Sequence, residues 1–105
     1  MDLEEFKEIL STAVEELYHF EAGPDAGEEY AVWQETGSRS LYSSGVRCGT
    51  VLKLQVDLYT GKENTETLGK ILDVLEENDI AFMDPIPGFD PDTKKLRYII
   101  ECEAV

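Results

Sequence analysis

Basic residues, histidine and cysteine are scarce in this sequence of 105 residues, and each shortage excludes a class of function. Nine Lys and Arg stand against 23 Asp and Glu, which gives a formal net charge of -14. Because binding to nucleic-acid phosphates needs clustered basic residues, this charge excludes DNA or RNA as a tightly held ligand. Long apolar runs are also missing, and no segment approaches the roughly 18 consecutive apolar residues of a membrane span.

The two cysteines and the N-terminal residues bear on the cellular compartment. Cys48 and Cys102 form neither a CxxC pair nor a zinc-binding pattern, so we expect reduced thiols that serve as small hydrophobic side chains. Residues 1 to 5, MDLEE, lack the basic and apolar regions of a signal peptide. We therefore expect a cytosolic protein.

Candidate catalytic residues are present, but they lack the partners that catalysis requires. His19 is the only histidine and has no cysteine beside it with which to share a metal ion. The serines of residues 38 to 44 lack the strand-turn-helix context of a nucleophile elbow. The carboxylate pairs Glu15/Glu16 and Glu76/Glu77 are predicted to lie on exposed helix faces. We predict that the protein is not an enzyme.

Two other segments resemble ion or nucleotide sites only in part. Residues 90 to 94, DPDTK, begin like a calcium loop, but Lys94 and Lys95 stand where such a loop needs an oxygen ligand and a glycine. An Asp-Pro turn is the favoured interpretation, with weak calcium binding as the alternative. Gly61-Lys62 precedes Glu63, where a phosphate-binding loop has Ser or Thr. We predict neither a metal ion nor a cofactor.

Hydrophobic periodicity predicts two helices and five strands. Apolar stripes from Leu3 to Leu17 and from Leu68 to Leu75 are typical of amphipathic helices. Alternation and β-branched or aromatic residues favour strands. The predicted strands begin at Leu17, Glu29, Leu52, Ile80 and Leu96.

Turn residues predict the boundaries between these elements. Residues 60 to 63, TGKE, match a capping box for the second helix, with Asn64 as a competing N-cap and Asn78 at the helix exit. Residues 37 to 49 are predicted as a loop or a loosely paired hairpin. Residues 84 to 95 are predicted as a twelve-residue loop rich in Pro, Gly and Asp.

This order of elements predicts a single α+β domain over residues 1 to 105. The order α-β-β-β-α-β-β indicates a mixed or antiparallel sheet of four to five strands with two helices packed on one face. Tyr59, Ile99 and Val51, with Trp33 as a further candidate, are predicted on the opposite face. That face is more apolar than solvent contact requires, so we expect loops or a neighbouring subunit to cover it.

The charge is distributed unevenly along the chain. Residues 1 to 29 carry a net charge of -9, residues 30 to 62 carry +2, and residues 63 to 105 carry -7. A small protein with acidic ends and a mildly basic middle is suited to head-to-tail contact with copies of itself. The pattern therefore indicates assembly rather than catalysis.

Several segments together resemble the tail completion or tail terminator proteins of long-tailed bacteriophages and prophages. The resemblance covers roughly residues 3 to 103. It rests on the strand carrying YAVW, the central strand that ends in an acid, an aromatic and Thr, and the Arg-Tyr pair of the last strand. The residues concerned are Tyr30 to Trp33, Leu54 to Thr60, Ile80 to Phe82 and Leu96 to Glu101.

The resemblance implies a non-enzymatic structural protein that forms a ring, commonly of six subunits, at the head-proximal end of the tail tube. Such a ring stops tube polymerisation and joins the tail to the head connector, so the implied partners are the tube protein, the connector and further copies of the chain. DNA would pass through without specific binding, and the location would be cytoplasmic during assembly and the virion tail afterwards. We predict that subunit contacts involve Arg39, Arg47, Trp33, Tyr42, Asp84, Asp90 and Asp92.

Charge alone equally permits an alternative from another class. A small acidic binding module or inhibitor could dock on a basic host or phage protein through the same negative surface. The ring-forming structural protein is the favoured interpretation, and the binding module is the alternative.

Overall fold

A computed structural model describes residues 1 to 63 and 65 to 105, and it contains two helices and six strands. This confirms the α+β class with a mixed sheet, with one strand more than predicted. In chain order the elements are α1 (Leu3–Ser11), β1 (Leu17–His19), β2 (Glu29–Ser43), β3 (Val46–Thr60), α2 (Glu66–Glu77), β4 (Ala81–Phe82), β5 (Ile86–Asp90) and β6 (Lys95–Ala104).

The sheet has the order β1-β2-β3-β6-β4, and β5 also pairs with β6. Only the β1/β2 pair is parallel, and the remaining pairs are antiparallel. β4 and β5 follow one another along the same edge of β6, where Phe82 pairs with Cys102 and Ile86 with Ile99. Four residue steps on the edge therefore face three on β6, which is the geometry of a bulge.

The prediction of a twelve-residue loop over residues 84 to 95 was wrong. Five of these residues form β5, and Lys95 already belongs to β6. Prolines at positions 85, 87 and 91 are typical of loops, but proline is also tolerated on an edge strand, whose outer side needs no backbone donor. The edge position of β5 therefore explains why composition misled the prediction.

Helix α1 is shorter than its apolar stripe predicted. The Asp2 carboxylate accepts a hydrogen bond from the Glu5 amide (2.8 Å) and caps the helix, which ends at Ser11. Ala13 and Val14 are buried in the core from the segment that follows. The stripe predicted a longer helix because these residues have helical spacing although their backbone has left the helix.

Helix α2 begins at a residue that the sequence did not indicate. The capping box predicted at Thr60 is wrong, since the N-cap is Thr65, whose hydroxyl accepts from the Thr67 amide (3.1 Å). Asn64, the competing candidate, lies outside the described residues. The exit at Asn78 is confirmed, and its side chain donates to the Val74 carbonyl (2.8 Å).

Both helices pack on one face of the sheet, as predicted. The core joins helix residues to every second residue of the central strands, and its largest buried members include Phe6, Leu10, Leu54, Val56, Leu58, Ile71, Leu75 and Ile100. Cys102 belongs to this core, and burial raises the pKa of its thiol to about 12. The Cys102 thiol therefore serves as a small hydrophobic side chain, as predicted, whereas Cys48 is exposed and does not.

The segment predicted as a loop over residues 37 to 49 is instead part of a long hairpin. β2 and β3 run 15 residues each and meet at a turn of Ser44 and Gly45, both at positive φ (52° and 78°). Such φ values suit a two-residue hairpin turn. The hairpin alternative is confirmed: the serines and glycines of this segment are typical of a loop, yet its two halves pair as strands with register shifts at Glu35/Gly37 and Leu41/Tyr42.

The end of this hairpin projects beyond the rest of the sheet. The β3/β6 pairing stops at Leu52 and Ala104, and the β1/β2 pairing stops at His19 and Trp33. Within the described residues, the hairpin from residue 38 to residue 51 thus has no further strand beside it. We call this segment the arm, and it accounts for an elongated molecule of 50 × 25 × 23 Å.

Candidate interaction surfaces

The sheet face opposite the helices, here called the open face, carries an organised group of side chains. Tyr59 pairs with Tyr30 on one side and Arg97 on the other, and its neighbour Leu58 points into the core. Strand alternation therefore confirms that Tyr59, Ile99 and Val51 lie on the open face.

Trp33 is a correction to this prediction. It pairs with Val56, whose side chain is in the core, so Trp33 points to the helices and is only 3% exposed. Its ring packs edge to face with Phe6 at 5.5 Å and stacks on His19 at 4.0 Å. Within this chain Trp33 is thus a core residue rather than a surface residue. The His19 ring also contacts the Glu35 carboxylate, so two side chains of β2, Trp33 and Glu35, hold it in place.

Three tyrosines and one arginine form a continuous band across the open face. Tyr18 and Tyr30 meet edge to face at 5.9 Å, Tyr30 stacks on Tyr59 at 5.0 Å, and the Arg97 guanidinium lies 5.6 Å from the Tyr59 ring centre. We call these four residues the tyrosine band. It crosses β1, β2, β3 and β6, and Tyr30 at its centre is only 4% exposed.

Arg97 is held in the tyrosine band by a carboxylate. Its Nη2 donates to Asp57 Oδ2 (2.8 Å), and Gln55 donates to the other carboxylate oxygen (2.9 Å). Asp57 is 5% exposed, and its hydrogen bond to Arg97 raises the pKa of the guanidinium. Among the described residues, no acceptor meets the buried Arg97 Nε. The acid of the central strand and the arginine of the last strand thus form one ion pair.

Three acidic residues surround the tyrosine band, and we call them the acidic rim: Glu16, Asp25 and Asp90. Burial raises the pKa of all three tyrosines. Glu16 and Asp25 raise the pKa of Tyr18 further, and Asp90 and Glu16 raise that of Tyr30, whereas at Tyr59 the positive charge of Arg97 opposes Asp57 and Asp90. Glu16 accepts hydrogen bonds from the Tyr18 hydroxyl (3.2 Å) and from the Gly27 amide (2.9 Å). The part of the band formed by Tyr18 and Tyr30 therefore lies in a negative field.

The position of Glu16 corrects a prediction. Glu15 and Glu16 were expected on an exposed helix face, but α1 ends at Ser11 and both residues follow it. The Glu16 carboxylate holds the turn that contains Gly27 against Tyr18. Glu76 and Glu77 are exposed at the end of α2, as predicted.

The arm has a charge opposite to that of the remaining chain, and its tip exposes apolar side chains. Its 14 residues include Arg39 and Arg47 and no acid, so the arm carries +2 and the remaining chain -16. Arg39 forms a surface ion pair with Glu103 (3.1 Å), and Arg47 donates to the Thr50 hydroxyl (2.6 Å). At the tip, Tyr42 is 67% and Val46 68% exposed. The arm therefore combines positive charge with apolar area, as interaction surfaces often do.

The remaining predicted interface residues lie at the edge of the sheet that β4 and β5 form beside β6. Asp84 is exposed in the bulge between β4 and β5. Asp90 ends β5, and its carboxylate accepts from the Asp92 amide (3.1 Å) and the Thr93 hydroxyl (3.0 Å). This hydrogen bonding closes the turn into β6 and matches the Asp-Pro turn interpretation. Within the described part of the chain, no cluster of three or more His, Cys, Asp or Glu could hold a metal ion.

The open face also contains a broad cleft of about 590 Å³ on the arm side of the tyrosine band. Charged side chains of β3 and β6 line it, together with the exposed Met83 beside β4. The lining residues that decide its character are Lys53, Gln55, Met83, Glu101 and Glu103. An open, mixed lining of this kind fits a protein segment better than an enclosed small molecule.

A junction that sequence reasoning missed lies at the start of β2. The Glu29 carboxylate accepts hydrogen bonds from the hydroxyls of Thr60 (2.8 Å), Thr65 (2.6 Å) and Thr67. Partial burial alone would raise the pKa of Glu29, but these hydrogen bonds outweigh it and lower the pKa. Glu29 thereby ties the end of β3 and the first turn of α2 to β2.

Comparison with known proteins assigns no family. No protein-family model matches the sequence, and a search of curated proteins finds no significant match. Neither of the two helices in the described residues is long and apolar enough to cross a membrane.

Proposed function

We propose that the chain is a tail-terminator-like structural protein of a phage or prophage. In this role it assembles head to tail into a ring, commonly of six subunits in the family it resembles, at the head-proximal end of the tail tube. The ring stops tube polymerisation and joins the tail to the head. The observation that carries this proposal is the basic arm projecting from a strongly acidic body.

The shape and the charge both favour assembly. A projecting hairpin with exposed Tyr42 and Val46 leaves apolar area in solvent that a partner would bury. The shifted pKa values belong to the tyrosine band, to Glu29 and to the buried Cys102, all of which have packing or hydrogen-bonding causes. Contact surfaces are thus more conspicuous in the described residues than any group of reactive side chains.

The charge of a ring needs compensation, since six copies would carry six times -14. We infer that Arg39 and Arg47 contact acidic residues of the adjacent subunit and offset part of this repulsion. Their present contacts do not prevent this, because a surface ion pair such as Arg39–Glu103 contributes little and can exchange partners. The remaining negative charge would repel passing DNA phosphates, so DNA would slide through without binding.

The test is to follow tail-tube length when the tube protein polymerises with and without this protein. The wild-type chain should give capped tubes of limited length in electron micrographs. The double variant R39E/R47E should lose capping while its circular dichroism and melting temperature stay near those of the wild type. A matched control is K7E/K70E, which changes the net charge equally on exposed helix positions and should still cap tubes.

The acidic binding module remains a second candidate, because the exposed side of α1 carries Glu4, Glu5 and Glu8. That function needs this negative helix surface and does not need the arm. If R39E/R47E retained every measurable partner interaction while reversal of the α1 acids abolished it, the binding module would be the better account.

A further inference from the structure

We propose that the tyrosine band, with its acidic rim, is the surface that receives the arm of a second copy of this chain. The proposal rests on the proposed head-to-tail assembly and names the surface that this assembly uses. Arg47, Arg39 and the apolar tip of the arm are the groups that dock there.

Charge complementarity selects the arm as the occupant. The Glu16 carboxylate accepts from the Tyr18 hydroxyl (3.2 Å), and Asp25 and Asp90 add negative charge near Tyr18 and Tyr30. The one cation of the band, Arg97, is already paired with Asp57 (2.8 Å). The band and its rim are therefore negative overall. The arm is the one long segment of the chain with positive charge and no acid.

The chemistry of the band suits an arginine and an aromatic tip. Guanidinium groups are attracted to tyrosine ring faces, and Arg97 already shows this contact on Tyr59. The exposed Tyr42 at the arm tip adds an aromatic group that can pack beside the band. Tyrosine and arginine are also the residue types that contribute most to protein interfaces.

The buried Arg97 Nε points to an acceptor supplied from outside the chain. It has no hydrogen-bond partner among the described residues, and buried polar groups are seldom left without one. The Arg97 side chain is 36% exposed, so a small movement of the guanidinium would bring Nε within reach of a carbonyl or serine hydroxyl of an incoming arm.

The arm tip and the tyrosine band of one chain are too far apart to touch, so the proposed contact joins two copies. Along β3, Arg47 and Tyr59 are twelve residues apart, which corresponds to about 40 Å in an extended strand. The arm tip and the tyrosine band thus lie toward opposite ends of the long axis, and an arm cannot reach the band of its own chain. Contact between two different surfaces of identical copies is heterologous, and it generates a ring when the rotation closes.

Two complementary variants test this contact. R39E/R47E disables the arm and keeps the band, whereas D25K/D90N weakens the rim and keeps the arm; Asn at position 90 retains an acceptor for the turn. Sedimentation velocity should find each variant monomeric alone. An equimolar mixture should form a 1:1 heterodimer and nothing larger, because only one working arm meets one working band.

A matched control shows whether the rim matters by position or by charge alone. D73K/D79N changes the charge equally at exposed residues of α2 and its exit, and Asn tolerates the positive φ of residue 79. This control should bind the intact arm of a second copy at least about tenfold more tightly than D25K/D90N does. Binding should weaken as salt rises.

Three results would overturn the proposal: no heterodimer at concentrations near 1 mM, homodimers of either variant alone at the concentrations where the mixture forms heterodimers, or equal binding by D25K/D90N and its control. The outcomes also separate this contact from the proposed function. Capping of tail tubes without heterodimers would reject the band as the receiving surface and leave the function standing. Heterodimers without capping would support the contact and reject the terminator function.

Discussion

Removal of the Glu29 carboxylate should destabilise the fold more than its partly exposed position indicates. The substitution Glu29→Ala leaves the hydroxyls of Thr60, Thr65 and Thr67 without their shared acceptor. Thr60 is fully buried, so water cannot easily replace the carboxylate there. A buried donor left unpaired costs about 1 to 3 kcal/mol, whereas the two partly exposed hydroxyls cost much less. We expect a loss of about 2 kcal/mol, or a melting temperature lower by about 10 °C.

The same group gives the stability a defined pH dependence. The pKa of Glu29 is lowered in the folded protein from its ordinary value of 4.5. Its contribution to stability is therefore fully present above the unfolded value and is lost as pH falls through the folded pKa. The difference in unfolding free energy between wild type and Glu29→Gln should shrink from pH 7 to pH 3.

Urea denaturation of the wild type, E29A, E29Q and a control, E28Q, measures these effects at both pH values. Glu28 is an exposed neighbour, and its substitution changes the charge equally without touching the threonines. If E29A lost no more stability than E28Q, or if the difference for E29Q stayed constant with pH, the threonine hydrogen bonds would not stabilise the fold as we reason.

Two further predictions concern the ion pair and the cysteines. Asp57→Ala should lower the unfolding free energy by about 2 kcal/mol, because it removes the buried partner of Arg97, and a urea curve unchanged within about 0.5 kcal/mol would argue against this. At pH 8 a thiol reagent should label the exposed Cys48 in the native protein and label Cys102 only after unfolding, since burial raises the pKa of the latter to about 12. Mass spectrometry follows both sites, and equal labelling rates would contradict the packing described for Cys102.

The sequence predicted the central elements because their patterns are local. Leucine and valine alternate from Leu52 to Leu58, and the helical stripes of Phe6 with Leu10 and of Ile71 with Leu75 indicate buried faces directly. These patterns were sufficient for the α+β class and for the placement of both helices on one face.

The regions that were missed depend on pairing rather than on local pattern. The arm has the composition of a loop, and each of its halves forms a strand only because it pairs with the other half. The prolines around β5 led to the prediction of a loop, although an edge strand tolerates proline. Trp33 was expected on the open face because a single strand does not show which of its sides meets the helices.

The candidate surfaces were predicted only in part, for a similar reason. Arg39, Arg47 and Tyr42 lie on the arm, and their exposure follows from the projecting hairpin. The Asp57–Arg97 pair joins residues 40 positions apart, and the Glu29 junction joins residues 31 to 38 apart. No local spacing encodes such contacts, so they become visible only once the strands are in register.

Electron microscopy of purified tail tubes mixed with the wild-type protein shows whether this chain caps them. Each tube should carry a ring on one end, with the arm of every subunit lying across its neighbour. Tubes whose ends stay bare at saturating protein, or protein bound along the tube sides, would contradict this expectation.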